Sequence, residues 1–344
     1  MDWTRGRDIG RGTSATVSIA TSRLSNEIFA VKSVELSKSN SLQREQKILS
    51  KLNCPQIIGY KGYNISKENG TSLFNIMMDY APGGTVADVI NRLGQLDESM
   101  IGYYTYHILE GLKYLHSRGI VHCDIKGSNI LLSESGAKIA DFGCAKAAEE
   151  AVIGGTPMYM SPEVARGEEQ KFPADIWALG CTVLEMFTGH PPWPSGCSTL
   201  RLIAFSGELP EFPTTLPKFS KDFLNKCLRI DPKERWTAEE LLKHPFLDVK
   251  KDEELLIKSD CTYSPTSILD QGIWSSIEEE CLHVSNDENL LVSPKQRMKE
   301  LGMISGIENW ELSDNWIKVR EIKFMKVKVK VKIGVGELEM DMER

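Results

Sequence analysis

Ile120-Val121-His122-Cys123-Asp124-Ile125-Lys126-Gly127-Ser128-Asn129 is the stretch on which the reading of this chain turns. The apolar pair Ile120–Val121 delivers His122, Cys123 and Asp124 into a short loop. Asn129 follows Asp124 by five residues, and an apolar strand, Ile130–Leu132, carries the chain away. Nine residues past that strand stands Asp141-Phe142-Gly143. A carboxylate, an amide and a second carboxylate at these intervals fit phosphoryl transfer. Asp124 is expected to accept a hydroxyl proton, and Asn129 and Asp141 to hold magnesium on a nucleoside triphosphate.

The chain has 344 residues, which suits one large domain or two smaller ones. It is 41% hydrophobic and 26% charged, a globular composition. A net charge of −7 speaks against a nucleic-acid binder. Eight cysteines stand without a C-x-x-C pair, so reduced thiols are expected, not a zinc site or disulfide framework. Met1–Gly10 is polar and lacks the apolar run of a signal peptide. The most apolar segment, Ile176–Phe187, contains Glu185 and is too short to span a bilayer. The expectation is a soluble, monomeric protein of the cytoplasm, the nucleus or both, with no membrane and no nucleic acid among its partners.

Upstream of the central loop, Ile9-Gly10-Arg11-Gly12-Thr13-Ser14-Ala15-Thr16-Val17 is a glycine-rich turn between β-prone stretches. Gly10 and Gly12 let backbone approach phosphates closely, although an ordinary hairpin turn reads the same way. Glu27–Ser33 alternates like a strand and carries Phe29-Ala30-Val31-Lys32. Ser41–Leu52 reads as a helix with Leu42, Ile48, Leu49 and Leu52 on its apolar face and Glu45 one turn before Leu49. Ser72–Asp79 reads as a strand and Pro82-Gly83-Gly84 as a turn. From Asp97 to Ser117 the apolar residues Ile101, Tyr104, Ile108, Leu112 and Leu115 recur at helical spacing, which predicts a buried helix leading into the central loop.

These motifs, in this order, resemble those of the eukaryotic protein kinases over about Trp3–Leu247. The resemblance implies an α+β, two-lobed protein kinase fold: a β-rich N-lobe over about 3–80 and a helical C-lobe over about 81–247. It implies ATP and Mg2+ as cofactors. Ile9 to Val17 would then cover the nucleotide, with Ala15 in place of the family's third glycine. Lys32, beside Ala30, would hold the α and β phosphates and would need Glu45 to orient it. Backbone groups of Asp79 and Ala81 would bond adenine, and Met78 would guard the back of the pocket. Asp124, Lys126 and Asn129 would be the catalytic residues, and Asn129 and Asp141 the metal ligands. Lys126 with Gly155-Thr156-Pro157 resembles the serine/threonine branch, where the lysine neutralises the transferring phosphoryl group.

Two departures from the family pattern agree with each other. Where the family has His-Arg-Asp, this chain has His122-Cys123-Asp124. In many kinases that arginine pairs with a phosphate on the activation loop. Between Cys144 and Gly155 there is also no Ser, Thr or Tyr, and Ala147–Ala151 offers only carboxylates. The expectation is a kinase that needs no phosphate in its central activation loop. Further on, Glu163 in Ser161-Pro162-Glu163 should pair with Arg235. Asp175, opening the apolar helix that reaches Phe187, should brace the central loop. Trp236 to Phe246 resembles the closing helix and turn of the fold.

Beyond Lys250 the composition shifts, and 248–344 is read as a flexible regulatory or docking tail. Ser264–Asp270 and Trp310–Arg320 have the mixed apolar and charged character of docking segments, and the tail is where regulators would bind. Lys326–Lys332 alternates lysine with valine and carries no functional reading. At finer grain the chain resembles the short plant MEKK-like mitogen-activated protein kinase kinase kinases. The carrying residues are the kinase start at Met1–Val17, Tyr80–Thr85, His122–Asn129 and Ala140–Lys146. That resemblance implies MAP kinase kinases as protein substrates, in stress or hormone signalling such as the response to abscisic acid. The alternative is a pseudokinase-like scaffold acting through its tail.

Overall fold

The computed structural model describes residues 2–12, 15–193 and 198–248. Thr13 and Ser14 at the tip of the glycine-rich turn lie outside the described residues, as do Lys250–Arg344 and the tail segments singled out above.

The first part is an antiparallel sheet of five strands: β1 (Trp3–Arg11), β2 (Thr16–Ser22), β3 (Ile28–Glu35), β4 (Tyr60–Glu68) and β5 (Thr71–Asp79), in the order β1-β2-β3-β5-β4. In β3 the period-2 pleat turns Ala30, Lys32 and Val34 toward a cleft, while Phe29 and Val31 join Ala20 and Met77 in a small apolar cluster on the far face. Trp3 packs on that cluster, its ring edge-on to Phe29. The strand runs two residues past Ser33, because Val34 and Glu35 pair with Phe74 and Leu73 of β5.

Helix α1 (Asn40–Leu49) buries Leu42, Glu45 and Leu49, one stripe at i, i+3 and i+7. It ends three residues short of the expected Leu52. There the chain tightens into i→i+3 bonds from Lys51 N to Ile48 O and from Leu52 N to Leu49 O. Leu52 still packs against the core.

The second part is helical, with α2 (Val86–Leu93), α3 (Glu98–Ser117), α4 (Pro162–Ala165), α5 (Phe172–Thr188), α6 (Thr199–Phe205), α7 (Lys218–Cys227) and α8 (Ala238–Leu241). Asp97 caps α3 by accepting from Met100 N at 2.9 Å. Ile101, Tyr104, Ile108, Leu112 and Leu115 are all buried, as their spacing predicts, and Leu109 joins them. Helix α5 is apolar all round and buried along nearly its whole length, so it is the centre of this part. Within the Trp236–Phe246 stretch expected to hold the closing helix and turn, the helix is Ala238–Leu241 and the turn begins at Pro245. The helix is fixed by a capping box between Thr237 and Glu240.

Two short antiparallel strand pairs follow α3. Strand β6 (Ile120–Val121) pairs with β9 (Lys146–Ala147), and β7 (Ile130–Ser133) with β8 (Gly136–Ile139). The Pro82–Gly84 turn docks on β7, Gly83 N donating to Leu132 O and Leu132 N to Gly84 O. The loops between these strands carry the polar motifs of the sequence.

A buried ion pair and a buried carboxyl brace the helical part. Arg235 donates to both oxygens of Glu163 at 2.6 and 2.7 Å, and also to the carbonyls of Arg229, Pro173 and Ile230. With every neighbour satisfied, loss of one partner strands the other charge. Glu163→Ala is expected to cost about 3–5 kcal/mol, measured by urea unfolding. The second is Glu185, which accepts from the Tyr159 hydroxyl at 2.8 Å. Burial pushes its carboxyl up to about 7. A carboxyl raised on folding favours the folded state below its ordinary pKa, and that advantage is lost as pH climbs to about 7. Glu185→Gln, which keeps an acceptor for Tyr159, should therefore stabilise the protein at pH 8. The gain is about 3 kcal/mol and should vanish near pH 4.5. Melting temperatures of both proteins across that range check the sign.

Candidate active site

The cleft between sheet and helices has a volume of about 610 Å³. Of the residues singled out in the sequence, Ile9, Gly10, Arg11, Gly12, Ala15, Val17, Ala30, Lys32, Glu45, Met78, Asp79, Ala81, Asp124, Lys126, Asn129 and Asp141 all line it. Thr16 does not; it pairs with Arg11 across the hairpin. Gly12 N donates to Ala15 O at 2.8 Å, which closes the turn at its base.

On the upper wall Lys32 Nζ donates to both Glu45 oxygens, at 3.0 and 2.8 Å, and to Asp141 Oδ1 at 2.9 Å. Burial alone would push this ammonium down. The carboxylates of Glu45 and Asp141 override it and hold the group above its ordinary value. Asp141 shows the reverse balance. Burial would raise it, but the Lys32 ammonium and the Gly143 N–H keep it at about 2. Its backbone sits at φ 60°, and Phe142 beside it is buried under His122, ring centroids 5.0 Å apart. Turning Phe142 inward leaves the Asp141 carboxylate facing the cleft, about half exposed.

On the lower wall, Asp124 is held from three sides. Its Oδ1 accepts from Thr156 Oγ1 at 2.7 Å, and its Oδ2 from Asn129 Nδ2 at 2.9 Å, with Lys126 Nζ 3.2 Å away. Lys126 also donates to Thr156 Oγ1 at 2.6 Å. Asn129 Nδ2 donates again to the Asp124 carbonyl at 2.8 Å. Both contacts need N–H donors, so the amide oxygen of Asn129 is left to accept a cation.

The loop holding these groups is itself fixed from below. Asp175, 1% exposed, accepts from His122 N and Cys123 N, both at 2.9 Å, and pairs with His116 Nε2 at 3.0 Å. This restrains Cys123 at φ 70°, a left-handed conformation unfavourable for a side-chain-bearing residue. His122 Nε2 faces Ala140 O at 3.1 Å and so carries the proton, while Nδ1 accepts from Asp124 N at 3.3 Å. Gly155 sits at φ 115°, and a Cβ there would come within 2.2 Å of the Cys123 carbonyl. Only glycine lets Thr156 approach Asp124 this closely.

Sequence reasoning missed several contributors, among them Leu131, His116 and Gln170. Leu131 forms part of the cleft lining. The alternation of β7, with Ile130 and Leu132 buried and Leu131 turned the other way, is the signal that would have found it. His116 carries no local sign, since its partner Asp175 lies 59 residues on. Gln170 is likewise unmarked. Its amide exchanges two 3.0 Å hydrogen bonds with Gly154 and donates to Cys123 O at 3.4 Å.

The donor set fits a nucleotide-bound magnesium ion. It consists of the half-exposed Asp141 carboxylate and the Asn129 amide oxygen, with the Lys32 ammonium beside Asp141. Magnesium binds through one or two carboxylates plus phosphates in such sites.

Comparison with known proteins agrees with this geometry. The model of the protein kinase domain matches residues 3–247. Mitogen-activated protein kinase kinase kinase 17 of Arabidopsis thaliana is 51% identical over 293 residues, covering 81% of this chain and 79% of its own length. Mitogen-activated protein kinase kinase kinase 18 of the same plant is 48% identical over 343 residues, 93% of this chain and 99% of its own. Mitogen-activated protein kinase kinase kinase 20 is 38% identical over 350 residues, with 93% and 100% covered. The fold, the paired Lys32 and Glu45, the held Asp124 and these relatives place the chain in the protein kinase family, as a serine/threonine kinase of the plant mitogen-activated protein kinase kinase kinases.

Proposed function

We propose that this kinase uses ATP with Mg2+ to phosphorylate MAP kinase kinases on serine or threonine, in stress or hormone signalling such as the response to abscisic acid, in the cytoplasm, the nucleus or both. The observation that carries the reading is the Asp124 carboxylate, held at once by Asn129, Thr156 and Lys126. A base fixed this way orients an incoming hydroxyl and takes its proton late in the transfer. Lys126 offsets negative charge on the phosphoryl group, and Lys32 anchors the nucleotide from above. Magnesium, held by Asp141 and the Asn129 amide oxygen, neutralises the phosphates when bound. The complete set of charged groups speaks for turnover and against a scaffold that only binds. The relatives' names supply the substrate class, and the tail is the proposed seat of regulators.

The proposal extends to regulation. With cysteine at 123, buried and pushed up by that burial, no cation stands beside Asp124 in sequence to read an activation-loop phosphate. The activation segment is tied instead by Gln170 to Gly154 and by Lys146 Nζ to Glu150 O at 2.6 Å.

Three outcomes follow. Incubated with a panel of inactive MAP kinase kinases, the chain should label activation-loop serine or threonine in at least one. Asp124→Asn should lower that rate by about 10²–10⁴-fold. Labelling of a general acceptor but of no MAP kinase kinase would sink the substrate class. Pretreatment with a broad phosphatase should leave the rate within twofold, by radiolabel assay; a loss restored by rephosphorylation would refute the regulatory reading. Thr156→Ala should cost about 10–100-fold in kcat through its lost bond to Asp124, and Thr156→Ser should restore most of it.

A further inference from the structure

We propose that Arg5, on the face of the sheet away from the cleft, is a positioning residue for the nucleotide, setting the glycine-rich turn through Ser18 and Asp8. The observation is a single guanidinium that bonds side chains from each of the other four strands. Arg5 Nε and Nη2 donate to the two oxygens of Glu68 on β4, at 2.9 and 3.0 Å. Nη1 donates to Ser18 Oγ on β2 at 3.2 Å and to Ser33 Oγ on β3 at 3.0 Å, and Nη2 to Asn75 Oδ1 on β5 at 3.0 Å. Ser18 Oγ in turn donates to Asp8 Oδ1 at 2.7 Å, and Ser33 Oγ donates to Asn75 Oδ1 at 2.7 Å. Ser18, Ser33 and Asn75 are buried, and each is satisfied within this network.

The network sits where the backbone ladder is irregular. The register of β1 against β2 shifts between Arg5 and Asp8 and again between Asp8 and Gly10. In a regular strand residues three apart face opposite sides, so Arg5 and Asp8 could not share a partner. The irregularity brings both onto Ser18. It also decides which way the next residue points: Ile9 turns into the cleft, 7% exposed, at the start of the turn that carries Gly10 and Gly12. A bulge has no regular ladder to hold its direction. Here the Arg5–Ser18–Asp8 relay does so, anchored to the far edge of the sheet through Glu68. Gly6 inside the bulge lies close enough to β2 that a Cβ would stand 3.2 Å from Ile19 O. Loosening the relay therefore frees the roof of the nucleotide site and leaves Asp124, Lys126 and Thr156 on the opposite wall untouched.

The test uses the full chain and measures Kd for a fluorescent N-methylanthraniloyl ATP with Mg2+, alongside KM for ATP, KM for an acceptor protein, kcat and melting temperature. Arg5→Met, Ser18→Ala and Asp8→Ala should each raise Kd and KM for ATP by fivefold or more. Acceptor KM and kcat should stay within twofold. Asp8→Asn, which keeps the accepting oxygen, should bind as wild type does, and Arg5→Lys should fall between. Should Arg5→Met fail to fold, Ser18→Ala and Asp8→Ala decide alone, since they cut the relay and spare the Arg5–Glu68 pair. Unchanged ATP affinity in these two, whatever their melting temperatures, would overturn the proposal. The inference rests on the cleft holding ATP; the wild-type titration tests that reading, and the ratio of variant to wild type tests this one.

Discussion

One ammonium group joins the two halves of this protein chemically. Lys32 comes from a strand, Glu45 from a helix and Asp141 from a loop 109 positions later, and Lys32 Nζ lies within 3.0 Å of a carboxylate oxygen from each. Lys32 and Glu45 are buried, Asp141 half exposed at the cleft, and neither buried charge is stable there without the other. A buried carboxylate without a cation, or a buried ammonium without an anion, would shift its pKa until it lost its charge. Their convergence therefore constrains everything that carries them. Helix α1 must lie with Glu45 on its buried stripe, β3 must present Lys32 on the cleft face, and Phe142 must stay inward so that Asp141 faces out.

The lower wall is built on the same logic with a different centre. Asp175 takes two backbone N–H groups and a histidine in a nearly water-free site. That makes the left-handed turn at Cys123 tolerable and fixes the direction of Asp124. The strain at Cys123 and Asp141 sits on either side of the same His122 ring, so the two halves of the lower site are not independent. Movement of Phe142 would disturb the imidazole that bonds both Ala140 and the backbone of Asp124.

Much of this was legible in the sequence because it is local. Asp124, Lys126 and Asn129 fall within six residues, so their mutual geometry is settled by one loop. Glu45 could be picked out because it stands one turn before Leu49 in the helix that follows Lys32, where the family resemblance calls for a carboxylate; its burial came only with the structure. The Glu163–Arg235 pair, although distant, was announced by two motifs. What was not legible has partners set only by topology. Nothing near Arg5 says that it will meet Glu68, 63 positions away; that depends on how the sheet folds back. Strand β4 escaped notice for a related reason, since Tyr60–Glu68 mixes half-buried and exposed residues on an edge. The end of α1 was misplaced because Leu52 keeps its apolar contact after the helix has stopped.

The replacement of arginine by Cys123 is best understood through what surrounds it. A guanidinium there would need an anion, because charge at a 7% exposed position is costly without one. A phosphate would supply that anion, but the segment from Cys144 to Gly155 has no hydroxyl to carry it. The chain resolves the conflict with a neutral thiol and an amide. Gln170 spans Gly154 and the Cys123 carbonyl, joining activation segment to catalytic loop with hydrogen bonds that do not depend on charge. Lys146, the nearby buried cation, is satisfied by the Glu150 carbonyl, and the Glu150 carboxylate reaches Arg44 on α1 at 3.4 Å. On the proposed regulation, cysteine at this position removes a need as well as a partner: with no buried guanidinium to neutralise, the contacts of Gln170 and Lys146 are what would hold the segment in the unmodified chain.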